Sequence, residues 1–212
     1  MKLHAAALAL AATLFCSSLA IAQDAKIALP SPIKSGGMPL MDALNQRESN
    51  RSFKSDDLTL QQISNLLWAA NGINRSNGKR TAPSSMNYQE IDTYIALKDG
   101  CYKYNPKELT LELVAKGDFR KVAGKQGFVE DAPVNLFFVA DFSRVPKGET
   151  PEQLNASYAN SGFIAQNVYL YCTSEGLGCV VRAYFDGQAV ANVLKLSSKQ
   201  KVILAQTVGY KK

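Results

Sequence analysis

Histidine is almost missing from this sequence of 212 residues: there is one, His4. Cysteine is scarce too, with four, and no two stand at C-x-x-C spacing. Catalysis built on a Ser-His-Asp triad or a Cys-His pair, and zinc or haem held by histidines, therefore have little to draw on. The charge excess is small, 24 Lys+Arg against 18 Asp+Glu, and no basic run is longer than a pair such as Lys79-Arg80 or Lys211-Lys212. That is too dilute for a nucleic-acid surface. Gly176-Leu177-Gly178 lacks the third glycine of the G-x-G-x-x-G fingerprint and leads into an expected strand rather than a helix, which argues against a dinucleotide-binding βαβ unit. Internal repeats and interdomain linkers are absent as well. The length suits one domain with an ample core.

The N-terminus has the pattern of an export signal. Lys2 supplies a short positive region, Ala5 to Ala12 with Leu14 and Phe15 an apolar stretch, and Ala20-Ile21-Ala22 a small-residue cleavage site before Gln23. Residues 1–22 are thus expected to be a signal peptide, and the protein to be periplasmic or secreted with no stable membrane insertion after cleavage. Removal takes His4 and Cys16 away. Of the remaining cysteines, Cys101, Cys172 and Cys179 read as buried small side chains, with a Cys172–Cys179 bridge as the alternative.

Residues 23–37 contain Pro30, Pro32 and Gly36-Gly37 and read as an extended arm before a domain at 38–212. Met38 to Gln46 is a short helix with Met38, Met41 and Leu44 on one side. Thr59-Leu60-Gln61-Gln62 is a capping box opening a second helix through Ile63, Leu66, Leu67 and Ala70. Alternation from Ile91 to Leu97, the Asp99-Gly100 turn, Tyr102 and Tyr104, then Leu109 to Leu113 predict an antiparallel meander. Val134 to Ala140 is apolar throughout and predicts a central strand. Thr150-Pro151 opens the longest helix, running to Ser174 and stopped by Gly176; its apolar positions leave little solvated face, so it is expected to pack on the core. Because they outnumber what one core face requires, it is also the candidate centre of a dimer interface, with burial wholly within one subunit as the alternative. A short strand at Cys179–Ala183, a helix at Gly187–Leu196 and a last strand at Val202–Tyr210 complete an α+β fold, a mostly antiparallel sheet flanked by helices.

Three segments hold the candidate chemistry. Arg47-Glu48-Ser49-Asn50-Arg51 sets two guanidinium groups four residues apart with a hydroxyl between, which suits a phosphate. Arg80 to Gln89 is a loop rich in hydrogen-bonding side chains that feeds the first meander strand. The third is Gly176 to Asp186. In this order and spacing they resemble the FMN-dependent nitroreductase superfamily, and the chain looks most similar to its SagB-type dehydrogenase branch. The resemblance also takes in Glu130-x-Ala132-Pro133-Val134 and the closing Val208-Gly209-Tyr210.

The resemblance implies a two-fold homodimer with FMN in each interface groove. By position, Arg47, Ser49 and Arg51 would hold the phosphate and ribityl chain, with the Glu48 backbone alongside and Lys211 adding charge. Ser84, Ser85 and Asn87 would line the flavin from the partner subunit, and Gln126 would meet its pyrimidine edge. The backbone of Val181, Arg182 and Ala183 would lie beside the isoalloxazine, where an amide donates to N5. The implied activity is hydride or two-electron transfer between a donor and a small planar or quinone-like acceptor, with the flavin carrying the chemistry. The alternative is a non-catalytic flavin-binding or structural dimer that keeps the fold.

Overall fold

The structure is a computed structural model that describes residues 26–212; the expected signal at 1–22 lies outside the described residues. Seven antiparallel strands form one sheet in the order β1-β4-β3-β2-β5-β7-β6, with β1 at Lys26–Ala28, β2 at Ile91–Ala96, β3 at Gly100–Asn105, β4 at Thr110–Lys116, β5 at Val134–Asp141, β6 at Leu177–Arg182 and β7 at Gln200–Tyr210. The arm is thus partly a strand: Ile27 pairs with Leu111 at the sheet's outer edge. At the other edge lies β6.

The apolar run of β5 follows from its central place. Leu136 and Phe138 pack on one face with Ile95, while Phe137 and Val139 pack on the other with Tyr94, so both faces are covered and no polar alternation is needed. Helices α2 (Leu60–Asn71) and α4 (Pro151–Ser174) cover the first face. The second carries α5 (Gly187–Val193), a 3₁₀ turn at Arg120–Ala123 and the short α3 (Phe128–Asp131). The capping box of α2 is closed on both sides, Gln62 N–H donating to Thr59 Oγ1 and Thr59 N–H to Gln62 Oε1. At the start of α4, Thr150 caps Gln153 with Pro151 in the first turn, and Gly176 at φ +70° turns the chain into β6.

The placement of α4 bears on both expectations for it. Its inner face is Ser157, Asn160, Ser161, Ile164, Ala165, Val168, Tyr169 and Cys172, while Tyr158 and Phe163 face outward, Phe163 being 47% exposed. Only burial wholly within one subunit is ruled out: this helix sends small polar residues inward and two aromatics outward, an apolar surplus over its core face. The short helix α1 (Leu40–Gln46) does likewise: only Ala43 is buried, and Met41 is 73% exposed. Leu40, Met41, Leu44, Tyr158 and Phe163 give these two helices outward apolar faces that a lone subunit leaves uncovered. The three cysteines of the domain are buried and free, so the bridge between Cys172 and Cys179 is not formed. Among the described residues, no helix is long and apolar enough to cross a membrane.

Candidate functional site

The segment after α1 is sewn to the free edge of β6 and the end of β7. Asn50 N–H donates to Cys179 O, Lys54 N–H to Tyr210 O and Lys212 N–H to Ser52 O, while Phe53 bridges Lys211. Gly178 is required for this approach, since a Cβ there would stand 2.9 Å from Asn50 Cγ. Arg47, Glu48, Ser49 and Arg51 are thereby presented along the edge, with Glu48 and Arg51 exposed. Lys211 reaches the same place and pairs with Glu48 at 3.0 Å. Half-exposed as it is, that ion pair adds little to stability. Among the described residues, Arg47 and Arg51 have no carboxylate partner.

Tyr169, which the sequence reading did not single out, organises this corner. It is 7% exposed, its ring carries the Arg47 guanidinium at 5.3 Å, and its hydroxyl lies 2.9 Å from Ser49 Oγ while accepting the Val181 N–H at 3.0 Å. Either hydroxyl can donate in the Ser49–Tyr169 pair, and the contact holds the exposed Ser49 at this corner. A tyrosine in a helix gives no sequence signal for such a role. Only the fold brings it between two distant segments.

The Val181 N–H is taken by Tyr169, which leaves a donor role toward a ligand to another amide of this stretch. Strand alternation explains what is left. Cys179 O and Val181 N–H both face the free edge, so the next backbone amide to do so belongs to exposed Ala183. Arg182, between them, turns its side chain into the core, where it donates to Ala123 O, to Asn135 Oδ1 at 3.0 Å and to Thr207 Oγ1 at 2.7 Å. Gln126 sits close by: its Oε1 and Arg182 Nη1 both crowd Gly124, and that Oε1 is buried without a partner. Lys125 stacks on Tyr184, closing the groove's end.

The loop of Ser84, Ser85 and Asn87 lies elsewhere. Ser85 N–H donates to Asn160 Oδ1, whose amide nitrogen in turn donates to buried Glu90 Oε1 at 2.8 Å. Arg80 and Gln89 shape the loop from below: Arg80 Nε donates to Gln89 Oε1 and Gln89 N–H to Ser84 Oγ. Met86 and Asn87 take positive φ, at 52° and 56°, which turns the loop tip outward and leaves Met86 81% exposed. Ser85 is thus anchored at residue 160 of α4 and Ser49 at residue 169. Those anchors are about 13.5 Å apart along α4 at 1.5 Å per residue, so the two sets of candidates stand at different levels of the helix.

Two cations without carboxylate partners among the described residues, an exposed hydroxyl and backbone along one sheet edge equip this α+β domain for an anionic ligand. The chain belongs to the nitroreductase family: the model of the Nitroreductase family matches residues 44–210. A candidate nitroreductase of Methanocaldococcus jannaschii is 32% identical over 183 residues, covering 81% of this chain and 91% of its own. The crystal structure of a candidate nitroreductase from Ralstonia eutropha JMP134 superimposes with a TM-score of 0.83 at 43% identity, covering 89% of this chain and 90% of its own. The NADPH:FMN oxidoreductase of Vibrio harveyi, solved with NAD+, shares the fold at 22% identity, with a TM-score of 0.62 and coverage of 82% and 69%.

Proposed function

We propose that this nitroreductase-family oxidoreductase binds FMN and passes a hydride, or two electrons, between a donor and a planar organic acceptor of nitroaromatic or quinone type. In this reading it works as a two-fold homodimer, exported to the periplasm or secreted, and lies nearest the SagB-type dehydrogenase branch. The observation that carries the proposal is that Tyr169 holds Arg47 and Ser49 beside the free edge of β6, with exposed Arg51 following in the same edge segment.

The residues fit the cofactor. Arg47 and Arg51 are cations without carboxylate partners among the described residues, Ser49 presents an exposed hydroxyl, and together they suit a phosphate and a polyol. The amide of Ala183 faces the open edge, where it would orient the ring by a hydrogen bond to N5. Gln126 Oε1, buried and unpartnered, suits an N–H on the pyrimidine edge. When bound, FMN supplies reversible two-electron chemistry. No histidine is asked to move a proton. Lys211 neutralises Glu48, which keeps that carboxylate from repelling a phosphate. Ser84, Ser85 and Asn87, together with Met86, would close the ring's other face from the second subunit, and the outward faces of α1 and α4 supply the apolar surface for that pairing.

The test is made on the protein purified from the exported fraction. Stoichiometric FMN with a flavin spectrum, chemical reduction, and rapid reoxidation by a nitroaromatic or a quinone are expected. Bound FMN that neither compound reoxidises would instead favour the non-catalytic dimer. A monomer by light scattering at low micromolar concentration that still held stoichiometric FMN would remove the shared site.

A further inference from the structure

Arg182 carries a charge that no carboxylate around it answers; its uncharged neighbours include the Phe128 ring, whose centre lies 6.0 Å from the guanidinium carbon. Its side chain is 6% exposed, and among the described residues it forms no ion pair. Its fork is committed to neutral acceptors, the Ala123 carbonyl, Asn135 and Thr207, and its Nε has no partner at all. Asn135 is occupied in turn, taking the Thr207 hydroxyl at 2.6 Å and donating to Val129 O at 2.9 Å. Taking an ion out of water costs several kcal/mol, and good geometry with a counter-ion is what normally offsets it. Here burial pulls the guanidinium down to about 10, still fully charged at neutral pH. The backbone is shaped around it as well: a Cβ at Gly124 would come within 2.2 Å of Arg182 Nη1. A neutral side chain would pin the same loop without the penalty, so the charge itself calls for a reason.

Its position supplies one. Arg182 immediately precedes Ala183, whose amide faces the free edge, and it shares Gly124 with Gln126, whose Oε1 is the orphaned acceptor of the groove. Resting on the flavin reading of that edge, we propose that Arg182 is a positioning residue for charge: a fixed cation behind the strand that favours the bound flavin in its reduced, anionic form. Two electrons and one proton entering the neutral ring leave it with one negative charge. A preorganised cation in a poorly solvated place stabilises that charge without reorganising. Its companions Asn135 and Thr207 hold it there and are neutral, so they do not cancel it.

The experiment titrates the FMN-loaded protein with dithionite, the two-electron reductant, against a reference dye of known potential. Arg182→Met should lower the preference for reduced over oxidised FMN by at least tenfold, which is about 30 mV for a two-electron couple. Arg182→Lys keeps the charge and loses the fork, and should retain most of that preference. A purely structural role would suffer in both, and would appear as equal losses in the unfolding midpoint of the FMN-free protein and in the potential. Asn135→Asp sets a carboxylate where Asn135 now accepts at 3.0 Å and leaves Arg182 in place. It should reproduce the shift of Arg182→Met, and it carries the test if the methionine variant does not fold. An unchanged potential in Asn135→Asp or Arg182→Met, or a lysine variant as shifted as the methionine one, overturns the proposal and leaves the cofactor reading standing. A wild-type protein that takes up no FMN overturns both.

Discussion

Removing one oxygen atom from Tyr169 should separate holding the fold from holding the ligand. Tyr169→Phe keeps the ring under Arg47 but deletes the hydroxyl that accepts Val181 N–H at 3.0 Å and meets Ser49 at 2.9 Å. The half-buried Val181 amide loses its partner, a loss of about 1–3 kcal/mol, whereas exposed Ser49 turns to water at little cost. In a domain this size each kcal/mol lowers the thermal midpoint by about 2–4 °C, so the cofactor-free variant should melt several degrees early. Ser49 also loses the contact that holds its hydroxyl in place. Weakening one charge-assisted hydrogen bond by about 1.4 kcal/mol corresponds to roughly tenfold in FMN affinity. Riboflavin, which has no phosphate, should change less. Tyr169→Leu, which removes the ring as well, should weaken FMN further by freeing Arg47. The assays are thermal unfolding of the stripped protein and equilibrium titration with both flavins. If Tyr169→Phe matched the wild type in midpoint and in FMN affinity, the account of this corner would be wrong.

Arg51→Ala should weaken FMN by roughly 10- to 150-fold, the span of about 1.5–3 kcal/mol for a hydrogen bond to a charged group, and equal binding of FMN and riboflavin by the native protein would refute a phosphate role. Gly178→Ala places a Cβ 2.9 Å from Asn50 Cγ, and Asn50 is tied to Cys179 O, so the edge segment must shift; a stability loss of about 1–3 kcal/mol with weaker FMN binding is expected in urea unfolding and titration, and a silent variant would show the contact to be slack. The buried Cys101 thiol is pushed up from 9.0 to about 12 and the Tyr104 phenol from 10.0 to about 12, both chiefly by burial. The unfolded chain therefore sheds these protons from about pH 9 while the folded one keeps them to about 12, so the folded state binds more protons in that window and stability must fall across it. Urea midpoints that stayed level between about pH 8 and 11 would contradict this burial.

How far the sequence could be read depended on how local each signal was. The capping box at Thr59, the Asp99-Gly100 turn, the apolar run of β5 and the Thr150-Pro151 start of α4 depend on neighbours in the chain, and all appear where local rules put them. β6 begins at Leu177 and β7 at Gln200, each two residues before its expected start, because the sheet continues to pair there. The direction in which a helix face points is another matter. Tyr158 and Phe163 look like core residues until the fold turns Ser157 and Asn160 inward to meet Glu90 and the loop above it. Motif residues divide in the same way. Arg80 and Gln89 stand in a pattern that suggests ligand contact, yet their side chains brace the loop from within. Arg182, in the same kind of pattern, is turned wholly inside. Tyr169 stands in no pattern and does the joining.

Helix α4 is where these strands of argument meet. Its inner face fixes Ser49 at one end, through Tyr169, and Ser85 toward the other, through Asn160. Both anchors are on one rigid element, so α4 sets the spacing of the two serines within a subunit. In the homodimer proposed above, a two-fold axis would cross the outward face near Phe163. It would reverse a second α4 against the first, bringing the residue-160 end of one helix toward the residue-169 end of the other, and it would cover the exposed aromatics in the same step. The outward apolar residues and the divided site, which look like two anomalies of a lone subunit, then have one cause.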